Sequence, residues 1–298
     1  MMIARKIYQL RSALALLFVC PIFLAASQDS TPAADPPAAE TSATDIASIL
    51  DRAAAAEGRY EFKDALRLFT EAVTKYPDSG RTWAAYGEHL RFYVHDSKAA
   101  AEAFNKSLQA PTDDPLASAF AWRGLGELAA ASGDDDKALR LFEKSVAIKP
   151  LADTHRSICH VLTNQHKWEK AAIHAGLAAE LDPADPIAGL LYATQLLRAE
   201  KTDAARKELE RSLKLAGVDE QGRASGPVHC CVLYNAAGYF GVSGQKGNAL
   251  KMLAAFFATP NHRHLTRKQI ESDPDFASLK DDPLFIDILE KHFAKSEF

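Results

Sequence analysis

The stretch from Ala119 to Pro150 reads AFAWRGLGELAAASGDDDKALRLFEKSVAIKP, and its spacing decides the fold. Trp122, Leu125 and Ala129 recur at three and four residues, which places them on one stripe of a helix. Gly126 sits within that stripe, where the lack of a side chain lets a second helix come close. Gly133 and three aspartates follow, a turn in which a residue without Cβ can take positive φ. Ala138, Phe142 and Ser145 form the inward stripe of a second helix, and Pro150 ends it because proline cannot continue a helix.

The same register fits on both sides. Upstream, Gly58, Ala65, Phe69, Ala72 and Pro77 form the later part of one unit. Trp83, Tyr86, Gly87, Leu90, Phe104 and Ser107 form the next, with a lengthened turn. Downstream come Ile158, Cys159, Leu162, Trp168, Ala171, Ala175, Ala178 and Pro183, then Tyr192, Ala193, Leu196, Ala205, Leu209 and Ser212. A weaker unit holds Ala236, Ala237, Phe240, Gly244, Ala249, Leu253 and Phe256. The period is about 34 residues, that of helix–turn–helix arrays. The pattern resembles the tetratricopeptide repeat, with Ala129 and Ser145 standing where that family usually has Tyr and Ala. The resemblance implies an all-α, right-handed solenoid of five to six repeats, five over residues 45–217 and a loop with a divergent sixth over 218–260.

Residues 261–298 carry a second resemblance. Asp273-Pro274-Asp275-Phe276-Ala277-Ser278-Leu279 and Asp282-Pro283-Leu284-Phe285 are similar to the closing element of many bacterial tetratricopeptide proteins, the end-of-group domain, except that Leu284 replaces the usual Arg. Each Asp-Pro pair reads as an N-cap followed by proline at the first helical position. Phe276, Leu279, Phe285 and Leu289 are expected to cover the apolar face of the last repeat, which has no further neighbour.

Residues 1–27 read as a secretory signal. Arg5, Lys6 and Arg11 precede the apolar run Ala13–Ala26, and Ala25 and Ser27 supply small residues at a cleavage site before Gln28. The run is shorter than the roughly 20 apolar residues of a membrane span. An uncleaved tether is the alternative. Residues 28–44 are rich in Pro, Ala, Ser and Thr without apolar periodicity, the composition of a disordered linker. The expected location is periplasmic or secreted, with no span after cleavage.

The formal charge of the whole chain is −4, and the loss of Arg5, Lys6 and Arg11 would take it to −7. An acidic chain lacks the basic surface that nucleic acid requires. Cys159, Cys230 and Cys231 would remain, an odd count that does not describe a disulfide framework. No phosphate-binding Gly-rich loop, nucleophile elbow, zinc-protease helix or CxxC pair is present. His155 and Cys159 lie one turn apart and could hold a soft metal with His160 nearby, but two ligands do not close a site, and packing accounts for both. Cys230-Cys231 could form only a strained bond, so a redox role is the alternative to burial of one and partial exposure of the other. His229 precedes the cysteine pair, and His262 and His264 flank Arg263 in an expected loop, where they could be metal ligands but read as solvated residues. No cofactor and no enzymatic activity are expected.

Binding is the function that the architecture implies. In such repeats the first helix of each pair lines the concave side. The register assigns Arg81, Ala84, Glu88, Arg91 and Phe92 to that face, then Phe120, Arg123 and Glu127. It next assigns Asp153, Arg156, His160, Thr163 and Asn164, then Ile187, Leu190, Thr194, Leu197 and Arg198. Arg91, Phe92, Phe120, Arg123, Glu127, Arg156, Asn164 and Arg198 are the candidate peptide-binding residues, with Phe92, Phe120, Leu190 and Leu197 as apolar patches. Arg123 and Arg156 share a register position, so they either grip a carboxylate of the partner or pair with Glu88, Glu127 and Asp153 within the protein. Glu127 stands where chaperone-tail clamps have Asn, which argues against that ligand. A protein or peptide partner is therefore expected. A thiol- or metal-dependent protein and a purely structural subunit of an envelope complex are the alternatives.

Overall fold

The computed structural model describes residues 38–111, 114–225, 230–259 and 265–293. The expected signal, residues 28–37 of the expected linker, His229, His262 and His264 lie outside them. The described chain divides into two compact units, one of residues 38–130 and 134–149, the other of residues 131–133 and 150–293.

The first unit contains six helices: α1 Ala38–Gly58, α2 Phe62–Lys75, α3 Gly80–His89, α4 Ser97–Gln109, α5 Pro115–Ala131 and α6 Asp135–Ile148. The second contains α7 Ala152–Asn164, α8 Trp168–Leu181, α9 Pro186–Arg198, α10 Thr202–Ala216, α11 Cys230–Val242 and α12 Lys246–Ala258. It ends with α13 Arg267–Ser272, a 3-10 turn Pro274–Leu279 and α14 Pro283–Phe293. Among the described residues the β structure is a single bridge, Val218 to Ala224, in the loop after α10. No described helix is long and apolar enough to cross a membrane.

The first helix begins earlier than the composition suggests. Residues 38–44, read as linker, form the opening turns of α1. Asp45 then accepts bonds from Tyr76 Oη at 3.0 Å and Lys75 Nζ at 3.2 Å, which ties α1 to the end of α2.

The repeat is visible in the backbone. Each turn from the first to the second helix of a pair contains one residue with positive φ: Tyr60, His95, Gly133, His166, Glu200 and Gly244. Only two of these six are glycine, although the left-handed conformation costs other residues about 1–2 kcal/mol. The lengthened turn of the second pair has a specific form. After α3 the chain widens into a π-helical turn, Leu90–Val94, and His95 closes it with its N–H on the Leu90 carbonyl. The wide turn absorbs the extra residues and leaves Arg91 and Phe92 on the unit's first-helix face.

Packing follows the small residues. The Phe142 ring is fully buried against Gly126, where a Cβ would meet its Cε1 at 2.5 Å. Ser107 and Ser145, at one register position, donate to the carbonyls of Gly80 and Ala119 at 2.7 and 2.8 Å. Both serines therefore fasten a second helix to the start of its partner. In the second unit one core runs from Leu190 through α11 and α12 to Ile270, Phe276, Leu279, Phe285 and Leu289. These last four residues of the closing segment are at most 1% exposed. Asp273 accepts from the Asp275 N–H, and Asp282 from the Leu284 N–H, both at 2.9 Å. The two Asp-Pro pairs thus start a 3-10 turn and a helix respectively.

Candidate binding faces

On the first unit, Glu88 and Arg91 come from α3 and its π-helical extension, and Arg123 and Glu127 from α5. Arg91 Nη2 is 2.7 Å from Glu88 Oε2 and 2.7 Å from Glu127 Oε2. Arg123 reaches Glu88 Oε1 and Glu127 Oε1, each at 3.3 Å. Each arginine therefore touches both glutamates, and the four form a neutral ring of alternating charge. Their side chains are 4–21% exposed. Burial works against the Arg91 charge, but Glu127 and Glu88 overcome it and raise its pKa. The guanidinium of Arg91 lies 4.1 Å from the Phe92 ring centre, and that of Arg123 lies 5.2 Å from that of Phe120. The half-buried rings and the ring of charges make a preorganised floor.

The second unit repeats this chemistry with aspartates. Arg156 bonds Asp153 in its own helix and Asp185 at 2.6 Å, and Asp185 also caps α9 by accepting from the Ile187 N–H. Arg198 bonds Asp275 of the closing segment and lies 5.3 Å from the Trp168 ring centre. Arg123 and Arg156 thus belong to different units, and each is held by carboxylates of its own. The internal-pairing alternative describes both of them. Burial, followed by the charges of Arg156 and Arg198, pushes the His160 pKa down to about 4, so its ring is neutral. Asn164 is exposed at the end of α7.

Several positions read as groove lining are interior. Leu190 is fully buried because α11 packs on α9 there, and Leu197 lies against the same core. Thr163 donates to Gln195 Oε1 at 3.1 Å, and Thr194 to the Leu190 carbonyl. Of the apolar positions assigned to the groove, Leu190 is therefore interior, whereas Phe92, Phe120 and Leu197 keep partial exposure.

Cys159, Cys230 and Cys231 are buried, and none of them is in a disulfide among the described residues. Burial raises the Cys159 thiol to about 12, the opposite of what a nucleophile or metal ligand needs. Cys230 and Cys231 are 2% and 7% exposed, so neither member of the pair has the partial exposure its sequence suggested. The cause is that α11 is apolar on all sides and packs within the core. His155 pairs with His174, Nδ1 to Nδ1 at 3.0 Å, rather than with Cys159. No group of three potential metal ligands occurs among the described residues.

Asp275 and Tyr234 escaped the sequence reading as site residues. Arg198 and Asp275 lie 77 residues apart, and no local periodicity connects them. The Asp-Pro-Asp-Phe motif marked where the closing segment begins, but not which face it would meet.

No protein-family model matches this sequence, and no curated protein is detectably similar to it. Solved structures do match. PilW, titled a widely conserved type IV pilus biogenesis factor, aligns with TM-score 0.53 and 14% identity, over 78% of this chain and 97% of its own. The APC/C hetero-tetramer Cut9–Hcn1 aligns with TM-score 0.53 and 15% identity, over 83% of this chain and 42% of that one. The pilF protein of Pseudomonas aeruginosa aligns with TM-score 0.51 and 14% identity, over 72% and 90%. At such identities the likeness concerns the fold. With the helix pairs, their shared left-handed turns and the small-residue contacts, it identifies the chain as a tetratricopeptide-repeat protein in fold.

Proposed function

We propose that this chain is an exported, non-catalytic scaffold that holds a protein or peptide partner on the first-helix face of its repeats. The observation that carries the reading is the floor on the first unit, where Phe92 and Phe120 lie beside a locked Arg91–Glu88–Arg123–Glu127 ring. Half-buried aromatic rings with rigid, neutralised charges around them present contact area at low ordering cost. The buried, high-pKa Cys159 thiol argues against thiol chemistry at that residue. Export rests on the apolar N-terminal run with its basic flank.

The test is affinity capture from an extracytoplasmic fraction with the protein as bait, wild type beside Phe92→Ala/Phe120→Ala. The reading expects a discrete partner retained by the wild type and lost with the double variant. Equal retention by a correctly folded double variant would refute it.

A structural-subunit reading has one observation in its favour. Ile173, Leu177 and Leu181 recur every four residues on α8 and are 61%, 37% and 46% exposed. Such a stripe is suited to burial in a larger assembly. A crosslinked partner mapping to α8 would favour this second reading.

A further inference from the structure

The closing segment of the second unit does more than cover the end of a stack. Ala236, Ala237 and Phe240 of α11 occupy the register of Tyr192, Ala193 and Leu196 of α9. Tyr234, Gly238 and Gly241 therefore stand where Leu190, Thr194 and Leu197 stand: α11 covers that row on α9, and on α11 the same row is open to whatever follows in the chain. The segment Asp273–Leu279 lies on these residues. Tyr234 Oη donates to Asp273 Oδ2 at 2.7 Å. A Cβ on Gly238 would meet Asp275 Oδ2 at 2.6 Å, and one on Gly241 would meet the Asp275 carbonyl oxygen at 2.2 Å. Ser278 donates to the Gly241 carbonyl at 3.0 Å. Arg198, also at a groove position, bonds Asp275. The Phe276 ring meets Tyr234 edge-on, with centroids 5.4 Å apart.

These contacts are those of a bound peptide. Two carboxylates are read by a guanidinium and a phenol, an aromatic ring fills a pocket, and a backbone carbonyl lies on glycines that allow close approach. We propose that Asp273–Leu279 is a tethered ligand of the α9–α11 face, and that the partner recognised there is a segment presenting two carboxylates followed by an aromatic residue. This deepens the partner-binding reading and rests on it. The short connection from α12 gives the segment an effective concentration on the order of millimolar, so a free segment of equal affinity competes poorly while the tethered one is in place.

The test uses a labelled peptide with the sequence of residues 270–284 and the whole chain carrying Asp275→Ala/Phe276→Ala, which weakens the tethered copy and leaves the receiving face intact. The expected result is binding to this variant at least about tenfold tighter than to the wild type, with a rise in its Tm on adding peptide. Adding Arg198→Ala should abolish both effects. A folded variant that takes no peptide, or takes it equally well without Arg198, would overturn the proposal. If the variant does not fold, Gly241→Ala gives a second route. Alanine suits the helix, but its methyl collides with the Asp275 carbonyl and expels the segment. The Phe276 ring is fully buried and meets Tyr234, so proteolytic cleavage within the closing segment should speed up in Gly241→Ala. An unchanged rate would overturn the proposal. None of these measurements requires an outside protein, so failure of affinity capture and failure of this inference are separate results.

Discussion

Arg198, the last residue of α9, holds Asp275, the second aspartate of the Asp-Pro-Asp-Phe motif, across 77 residues of chain. The pair joins a groove position to the closing segment, with side chains 11% and 23% exposed. Removing one member of a half-buried pair leaves the other charge without its partner and costs about 1–3 kcal/mol. Arg198→Ala and Asp275→Ala should each lower stability by that order in denaturant titrations. The double variant should lose much less than the sum, because both single changes remove the same contact. Additive losses would mean that the pair does not couple the segment to the groove.

Asp273 gives the closing segment a pH dependence. Burial, and then the neighbouring Asp275 carboxylate, push its carboxyl up from 3.8 to about 7. The folded protein therefore holds a proton there that the unfolded chain releases. The associated stability is fully present below about pH 3.8 and is lost as pH rises toward 7. His160 acts in the opposite direction, since its lowered pKa costs stability as pH falls from 6.5 toward 4. The difference in Tm between wild type and Asp273→Asn isolates the first effect. Asp273→Asn should lose the part of the pH slope between pH 4 and 7 that falls with rising pH, and parallel curves would contradict the assignment.

Glu200 has φ 61° in the turn between α9 and α10 and is exposed. Glycine adopts this conformation without the Cβ penalty. Glu200→Gly should therefore raise stability by about 0.5–1 kcal/mol, less than the full left-handed penalty because glycine also loosens the unfolded chain. Urea melts measure this directly.

Gly126→Ala should act in the other direction. Alanine is the better helix former by about 1 kcal/mol, but its methyl would lie 2.5 Å from the buried Phe142 ring. Overpacking should win, with a net loss of about 1–3 kcal/mol in the same melts. A neutral or stabilising result would show that the two helices can separate at this level.

The repeat was legible because its determinants are local. Trp122, Leu125, Gly126, Ala138 and Phe142 lie within one helix pair, and helical geometry alone puts them face to face. The turns were legible only in part. Gly133 and Gly244 announce positive φ, whereas Tyr60, His95, His166 and Glu200 adopt it because the helices on either side impose it. The charged positions on the first helices could be read one by one, but not the network they form. That Arg123 touches Glu88, or Arg156 touches Asp185, depends on how successive pairs stack. Leu190 reads as groove lining from its register, but α11 covers it, and no feature of α9 by itself reveals that cover.

The most direct test of the scaffold account is site-specific photocrosslinking in the native compartment, with the reactive group placed at Phe120 in one variant and at Ile173 in another. The account predicts a discrete protein adduct from position 120 and none from position 173. An adduct from 173 alone would contradict it and place the interaction on the outer stripe of α8.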